Sequence, residues 1–107
     1  MNIKFLSKLL ITIRKNLKKD KRISYTSRLY SSGINGCKNK FLEEVREFIV
    51  SLKGKKKHTI HEAADVFYHY LVLLERKKIG FIPVLEELKR RSKISGIEEK
   101  LRRKDVR

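Results

Sequence analysis

The chain has 107 residues and a net charge of +16, with Lys+Arg 28 against Asp+Glu 12, and it is 40% hydrophobic. That length holds one small domain, expected to span residues 1–107, and excludes two catalytic domains; the hydrophobic content excludes a wholly disordered tail. A lone cysteine, Cys37, excludes an internal disulfide framework and a cysteine-based zinc site, and no apolar run reaches the ~18–20 residues of a membrane span.

In chain order, the first twenty residues are basic, acid-poor and amphipathic. They could mimic a transit peptide, but Phe5, Leu9 and Ile13 recur every four residues with Leu6 and Leu10 beside them. A first helix over about 3–19 is the preferred reading. Ser24-Tyr25-Thr26 then leads through Ser31-Ser32-Gly33 and Asn35-Gly36, which reads as a turn-rich connection. A second helix is expected over about 38–52, its apolar stripe formed by Phe41, Leu42, Val45, Phe48, Ile49 and Leu52. Gly54 and the lysines around it suit its C-terminal end.

Thr59-Ile60-His61-Glu62 has the spacing of a capping box and predicts the start of a third helix, which Gly80 ends. Ile60, Ala63, Ala64, Phe67, Leu71 and Leu74 would form its apolar face. Pro83 predicts a fourth helix through about Arg91, and Ser95-Gly96-Ile97-Glu98 a short fifth. The expected fold is all-α, a bundle of four to five short helices. So short a chain with two broad apolar faces is expected to complete its core by dimerising.

Charge is segregated along this layout. Residues 1–42 sum to +10, 43–75 to −1 and 76–107 to +7. The basic flanks suit a polyanion, either nucleic acid or a phosphate-rich small ligand, and equally suit a lysine-biased composition. The middle holds Glu43, Glu44 and Glu47, then Glu62 and Asp65 at i,i+3, with His69 further along. Like charges one turn apart destabilise an isolated helix by about 0.2–0.5 kcal/mol per pair, a cost that a bound cation removes. Two antiparallel helices would gather five carboxylates around one space, the ligand set of a hard cation such as Mg²⁺. The competing reading is a solvated acidic face, with Lys40 pairing Glu43 or Glu44 and Glu62 serving only as a cap. His69 reads as packing, His58 and His61 as loop and first-turn residues, Cys37 as an inert turn thiol, and Tyr68 and Tyr70 as core or interface.

The motifs resemble those of phosphoribosyl-ATP pyrophosphohydrolases, within the all-α MazG-like nucleotide pyrophosphohydrolases, from the first helix to about Arg103. Ser24-Tyr25-Thr26-Ser27-Arg28-Leu29 looks like the family's SYTxxL segment. Lys40 to Glu47 looks like KxxEExxE, Glu62 to His69 like EAADxxYH, and Val84 to Arg91 with Ser95 to Lys100 like its C-terminal end. Leu42 departs from the family's usual glycine, and the Gly54–Lys57 loop is unusually basic. The resemblance implies Mg²⁺-dependent hydrolysis of 1-(5-phosphoribosyl)-ATP to 1-(5-phosphoribosyl)-AMP and pyrophosphate, the second step of histidine biosynthesis. It implies metal ligation by Glu43, Glu44, Glu47, Glu62 and Asp65, with Glu44 or Glu47 as base. Lys40, Arg28 and Arg91 would bind phosphates, and a cytoplasmic homodimer with no membrane or nucleic-acid partner would result. The alternatives are a pyrophosphohydrolase for another nucleoside triphosphate and a non-enzymatic basic module that binds nucleic acid.

Overall fold

A computed structural model describes residues 4–20, 22 and 24–93. Among these, five helices and no strand occur: α1 (Lys4–Leu17), α2 (Tyr25–Ser31), α3 (Gly33–Ser51), α4 (Lys56–Arg76) and α5 (Ile82–Arg91). The all-α expectation holds. The proposed helix at Ser95 lies outside the described residues.

The principal packing is α3 against α4, joined by a four-residue link. Contacts pair early α3 with late α4 and the reverse: Phe41 with Tyr70, and Ser51 with Thr59. The two helices are therefore an antiparallel hairpin. A core of Leu10, Ile13, Leu29, Cys37, Leu71, Val72 and Phe81 sits where α1, α2 and the C-terminal half of α4 converge.

Three local expectations are corrected. The 24–36 connection is mostly helical. Ser24, in an extended backbone conformation, accepts the amide of Ser27 and so starts α2. Gly33, at φ +82°, reorients the chain between α2 and α3. Cys37 lies within α3, 1% exposed, its thiol donating to the Leu29 carbonyl.

The second correction is the start of α4, which opens at Lys56 after the extended Lys55 rather than at Thr59. Thr59 is inside the helix, and its hydroxyl donates to the Ser51 carbonyl at 2.7 Å, tying α4 to the end of α3. Glu62 therefore has no capping duty. His58 and His61 likewise belong to α4.

The third concerns which side of α4 is buried. Leu71 is inside, but Ile60, Ala64 and Phe67 are exposed. The inward row along α4 carries Glu62 and His69 as well as the apolar Leu71 and Val72. Burying its polar groups without partners would be unfavourable.

Candidate active site in the helical hairpin

Glu44 on α3 and Glu62 on α4 are 6% and 9% exposed, and Oε2 of each has no hydrogen-bond partner. Glu47, one turn beyond Glu44, is exposed. One oxygen from each of Glu44, Glu47 and Glu62 lies within 4.8 Å of the others. Glu62 also groups with His61 and Asp65 at the same spacing. Glu43 joins neither group; it is half exposed and pairs with Lys40 at 3.3 Å.

Lys40 reaches Glu44 as well, at 3.2 Å. Burial works against its ammonium, but the hydrogen bonds to Glu44 and then Glu43 outweigh that, so its pKa is raised. One cation thus serves two carboxylates, and Glu44, one of them, still lies close to Glu47 and Glu62. Glu47 registers the crowding: repulsion from Glu44, then partial burial and the charges of Glu62 and Glu43, raise its pKa above the usual carboxylate value.

That direction has a consequence. A raised carboxylate pKa means that the fold holds the proton more tightly, while a cation needs it gone. Divalent-cation affinity is expected to decline on acidification from above the ordinary carboxylate range, and Glu47→Gln to flatten that decline. Calorimetric titration with Mg²⁺ across pH 4–7 measures both.

Two carboxylate oxygens buried without donors, beside a third carboxylate with a raised pKa, fit a hard divalent cation. Among the described residues, no hydrogen-bond donor reaches either Oε2. Glu44, Glu47, Glu62 and Asp65 are the residues able to hold such an ion.

The inward row of α4 continues into a hydrogen-bonded brace. The His69 ring lies 2.7 Å from the Asp65 carbonyl through Nδ1 and 2.8 Å from the Tyr25 hydroxyl through Nε2. A carbonyl only accepts, so Nδ1 carries the proton and Nε2 accepts from Tyr25. Thr26 bonds the Tyr68 hydroxyl beside it. Two successive residues of α2 therefore grip two successive residues of α4, one turn beyond Asp65. The packing role read for His69 is thus partly a polar one. Tyr25 and Thr26 were hidden by their setting, since a stretch of serine and glycine suggests a turn.

The other phosphate-binding candidates stand on α2 and α5. Arg28 is exposed on α2 and lines a surface hollow with Arg22, Ser31 and Ser32. Arg91 sits on α5 and pairs with Glu87 at 3.2 Å. Hydrogen bonds from Arg90 and then Arg91 hold the Glu87 carboxyl down to about 2.

The family profile described as phosphoribosyl-ATP pyrophosphohydrolase matches residues 6–92. The chain is 41% identical over 99 residues to a phosphoribosyl-ATP pyrophosphatase of Dinoroseobacter shibae, covering 92% of this chain and 97% of that one. Against the protein of the same name from Rhodobacter capsulatus it is 38% identical, covering 92% and 96%. It is 49% identical over 82 residues to the histidine biosynthesis bifunctional protein HisIE of Helicobacter hepaticus. That alignment covers 76% of this chain and 36% of the relative, so the chain spans about a third of the bifunctional protein.

Proposed function

Since the chain belongs to the phosphoribosyl-ATP pyrophosphohydrolase family, matched across residues 6–92, we propose that it hydrolyses phosphoribosyl-ATP to phosphoribosyl-AMP and pyrophosphate. The observation that carries this reading is that Glu44 and Glu62 each bury an oxygen without a donor among the described residues, and that one oxygen of each lies within 4.8 Å of the other and of Glu47. A solvated acidic face would leave those oxygens in water.

Glu44, Glu47, Glu62 and Asp65 would hold Mg²⁺, while Glu43 pairs with Lys40. The ion, when bound, neutralises triphosphate charge and polarises phosphorus. Glu47 is the better base of the two candidates. Its exposure leaves it open to water, whereas Glu44 is buried and engaged by Lys40. Lys40 sets the position of Glu44 and adds positive charge where the anionic substrate arrives. The net charge of +16 steers that substrate to the site. Arg28 and Arg91 belong to that field rather than to the reacting centre. No described helix is long and apolar enough to cross a membrane, and the cytoplasm is the proposed location.

The test is release of pyrophosphate from phosphoribosyl-ATP with Mg²⁺, beside ATP, GTP, CTP and UTP. Phosphoribosyl-ATP is expected to exceed every ordinary triphosphate in kcat/KM. Comparable rates on all of them would favour a broader nucleotide pyrophosphohydrolase, and no hydrolysis with salt-sensitive RNA binding would favour the nucleic-acid module.

The working form is a homodimer. Supporting this, Ile49, Val50, Leu52 and Ile60 are exposed around the closed end of the hairpin. Between the helices lies an apolar cleft of about 220 Å³ lined by Phe41, Phe48, Ala63, Val66, Phe67 and Tyr70. A second copy of the same face would cover both. Light scattering is expected to give twice the chain mass, and Ile49→Asp to shift the protein towards monomer.

A further inference from the structure

A second cleft, of about 460 Å³, lies where α1 meets α4. Its walls are Phe5, Leu6 and Leu9 from α1 and Ala64, Phe67 and Tyr68 from α4, with Asp65 the one charged residue lining it. Asp65 also belongs to the His61–Glu62–Asp65 group, so the cleft opens directly beside the carboxylates. The Tyr68 hydroxyl is tied to Thr26, which fixes that ring in place. Phe5, by contrast, is 60% exposed, an aromatic ring offered to solvent at the edge of the cleft.

We infer that this cleft seats the N1-substituted purine of the substrate, recognised as a cation by its aromatic faces. The inference rests on the activity proposed above and names what selects that substrate. Phosphoribosyl-ATP differs from ATP by a glycosyl group on N1 of adenine. An adenine so substituted is an amidine that takes up a proton more readily than adenine itself, and the purine then carries a positive charge. The rest of the substrate is strongly anionic, so its two ends call for opposite surroundings.

The chain supplies both. A protein of net charge +16 repels a cation almost everywhere. Here two phenylalanines, a tyrosine and an aspartate meet with no lysine or arginine among the lining residues. Aromatic faces attract a cation, Arg-like or purine, through their quadrupole, and an N1-unsubstituted adenine gains only stacking. The volume falls within the range of small-molecule sites and holds a purine with part of its ribose. The other cleft, between α3 and α4, is about half that size and falls below the range of small-molecule sites.

The distinguishing probe is 1-methyladenosine 5′-triphosphate, which has the N1 substituent and no second ribose. Binding is measured in the full chain against ATP, alongside KM for phosphoribosyl-ATP. Wild-type protein is expected to prefer the 1-methyl nucleotide by about 3- to 30-fold, the scale of one cation–π contact. Phe5→Ala should remove most of that preference and raise KM with little change in kcat. Phe5→Trp should retain it and Phe5→Leu should not, which separates the aromatic contact from simple apolar cover. Equal affinity of the wild type for the two nucleotides, or an unchanged preference and KM in Phe5→Ala, overturns the inference. Failure of the underlying activity looks different: phosphoribosyl-ATP would then remain intact with the wild type, and both readings would fall together.

Discussion

Glu62→Gln is expected to lower Mg²⁺-supported hydrolysis of phosphoribosyl-ATP by about 10²–10³-fold, the scale of losing one preorganised electrostatic group. Glu62 is the residue common to both three-residue groups, Glu44–Glu47–Glu62 and His61–Glu62–Asp65. Glutamine keeps its volume and one oxygen, so packing of α3 on α4 survives and only the charge is lost. The stability readout should move independently of the rate. In the wild type, Mg²⁺ at ~100 times its Kd adds about 2.7 kcal/mol of stability by mass action. The variant should gain much less from the same Mg²⁺. Without metal it should melt no lower than the wild type, because one of three crowded carboxylates has been neutralised. Thermal melts with and without Mg²⁺, read beside the initial rates, decide the matter. Normal turnover together with normal Mg²⁺ stabilisation would place the metal elsewhere.

How much of this was readable in the sequence depended on whether one helix or two determined the answer. The i,i+3 spacing of Glu62 and Asp65 is a property of a single helix and is visible, whereas the apolar stripe read for α3 is not its buried side: Leu42, Ile49 and Leu52 are exposed, and Cys37, Glu44 and Ser51 are buried. Which of the adjacent Glu43 and Glu44 turns inward is not such a property. The two differ by about 100° around the axis, and either pairs with Glu47 at i,i+4 or i,i+3. Only the packing of α4 selects Glu44 and leaves Glu43 to Lys40.

The same limit explains Thr59. Threonine followed by glutamate three residues later has the local pattern of a cap, but the hydroxyl finds the Ser51 carbonyl on the neighbouring helix. Two lysines, Lys56 and Lys57, which are good helix formers, can then join the first turn. It also explains α2, whose seven residues would be marginal alone. They are held by neighbours instead: Ser24 donates to the Asn16 carbonyl, Ser27 to that of Lys19, and Tyr25 to His69. Serine-rich sequence reads as a turn until those partners are in place. The exposed Ile60 and Phe67 show the converse, an apolar periodicity in α4 that the single chain leaves uncovered.

Leu71→Ala is expected to cost about 2–5 kcal/mol, the range for emptying a fully enclosed leucine site. Leu71 is 1% exposed and lies in the cluster with Leu10, Ile13, Val72 and Phe81. Helices α1, α2 and α3 all pack on α4, so the cavity opens in the element on which the others depend. Small domains have only about 5–15 kcal/mol of net stability, which makes this a large fraction of the total. The matched control is Ile11→Ala on α1, where the side chain is 62% exposed and the expected change is within about 0.5 kcal/mol. Urea unfolding at fixed protein concentration measures both, and fixing the concentration removes any contribution from dimerisation. The carboxylates lie one to three helical turns away along α4, so turnover per folded molecule should stay near that of the wild type well below the melting temperature. Equal losses in the two variants would mean that the core does not lie where α1 meets the C-terminal half of α4.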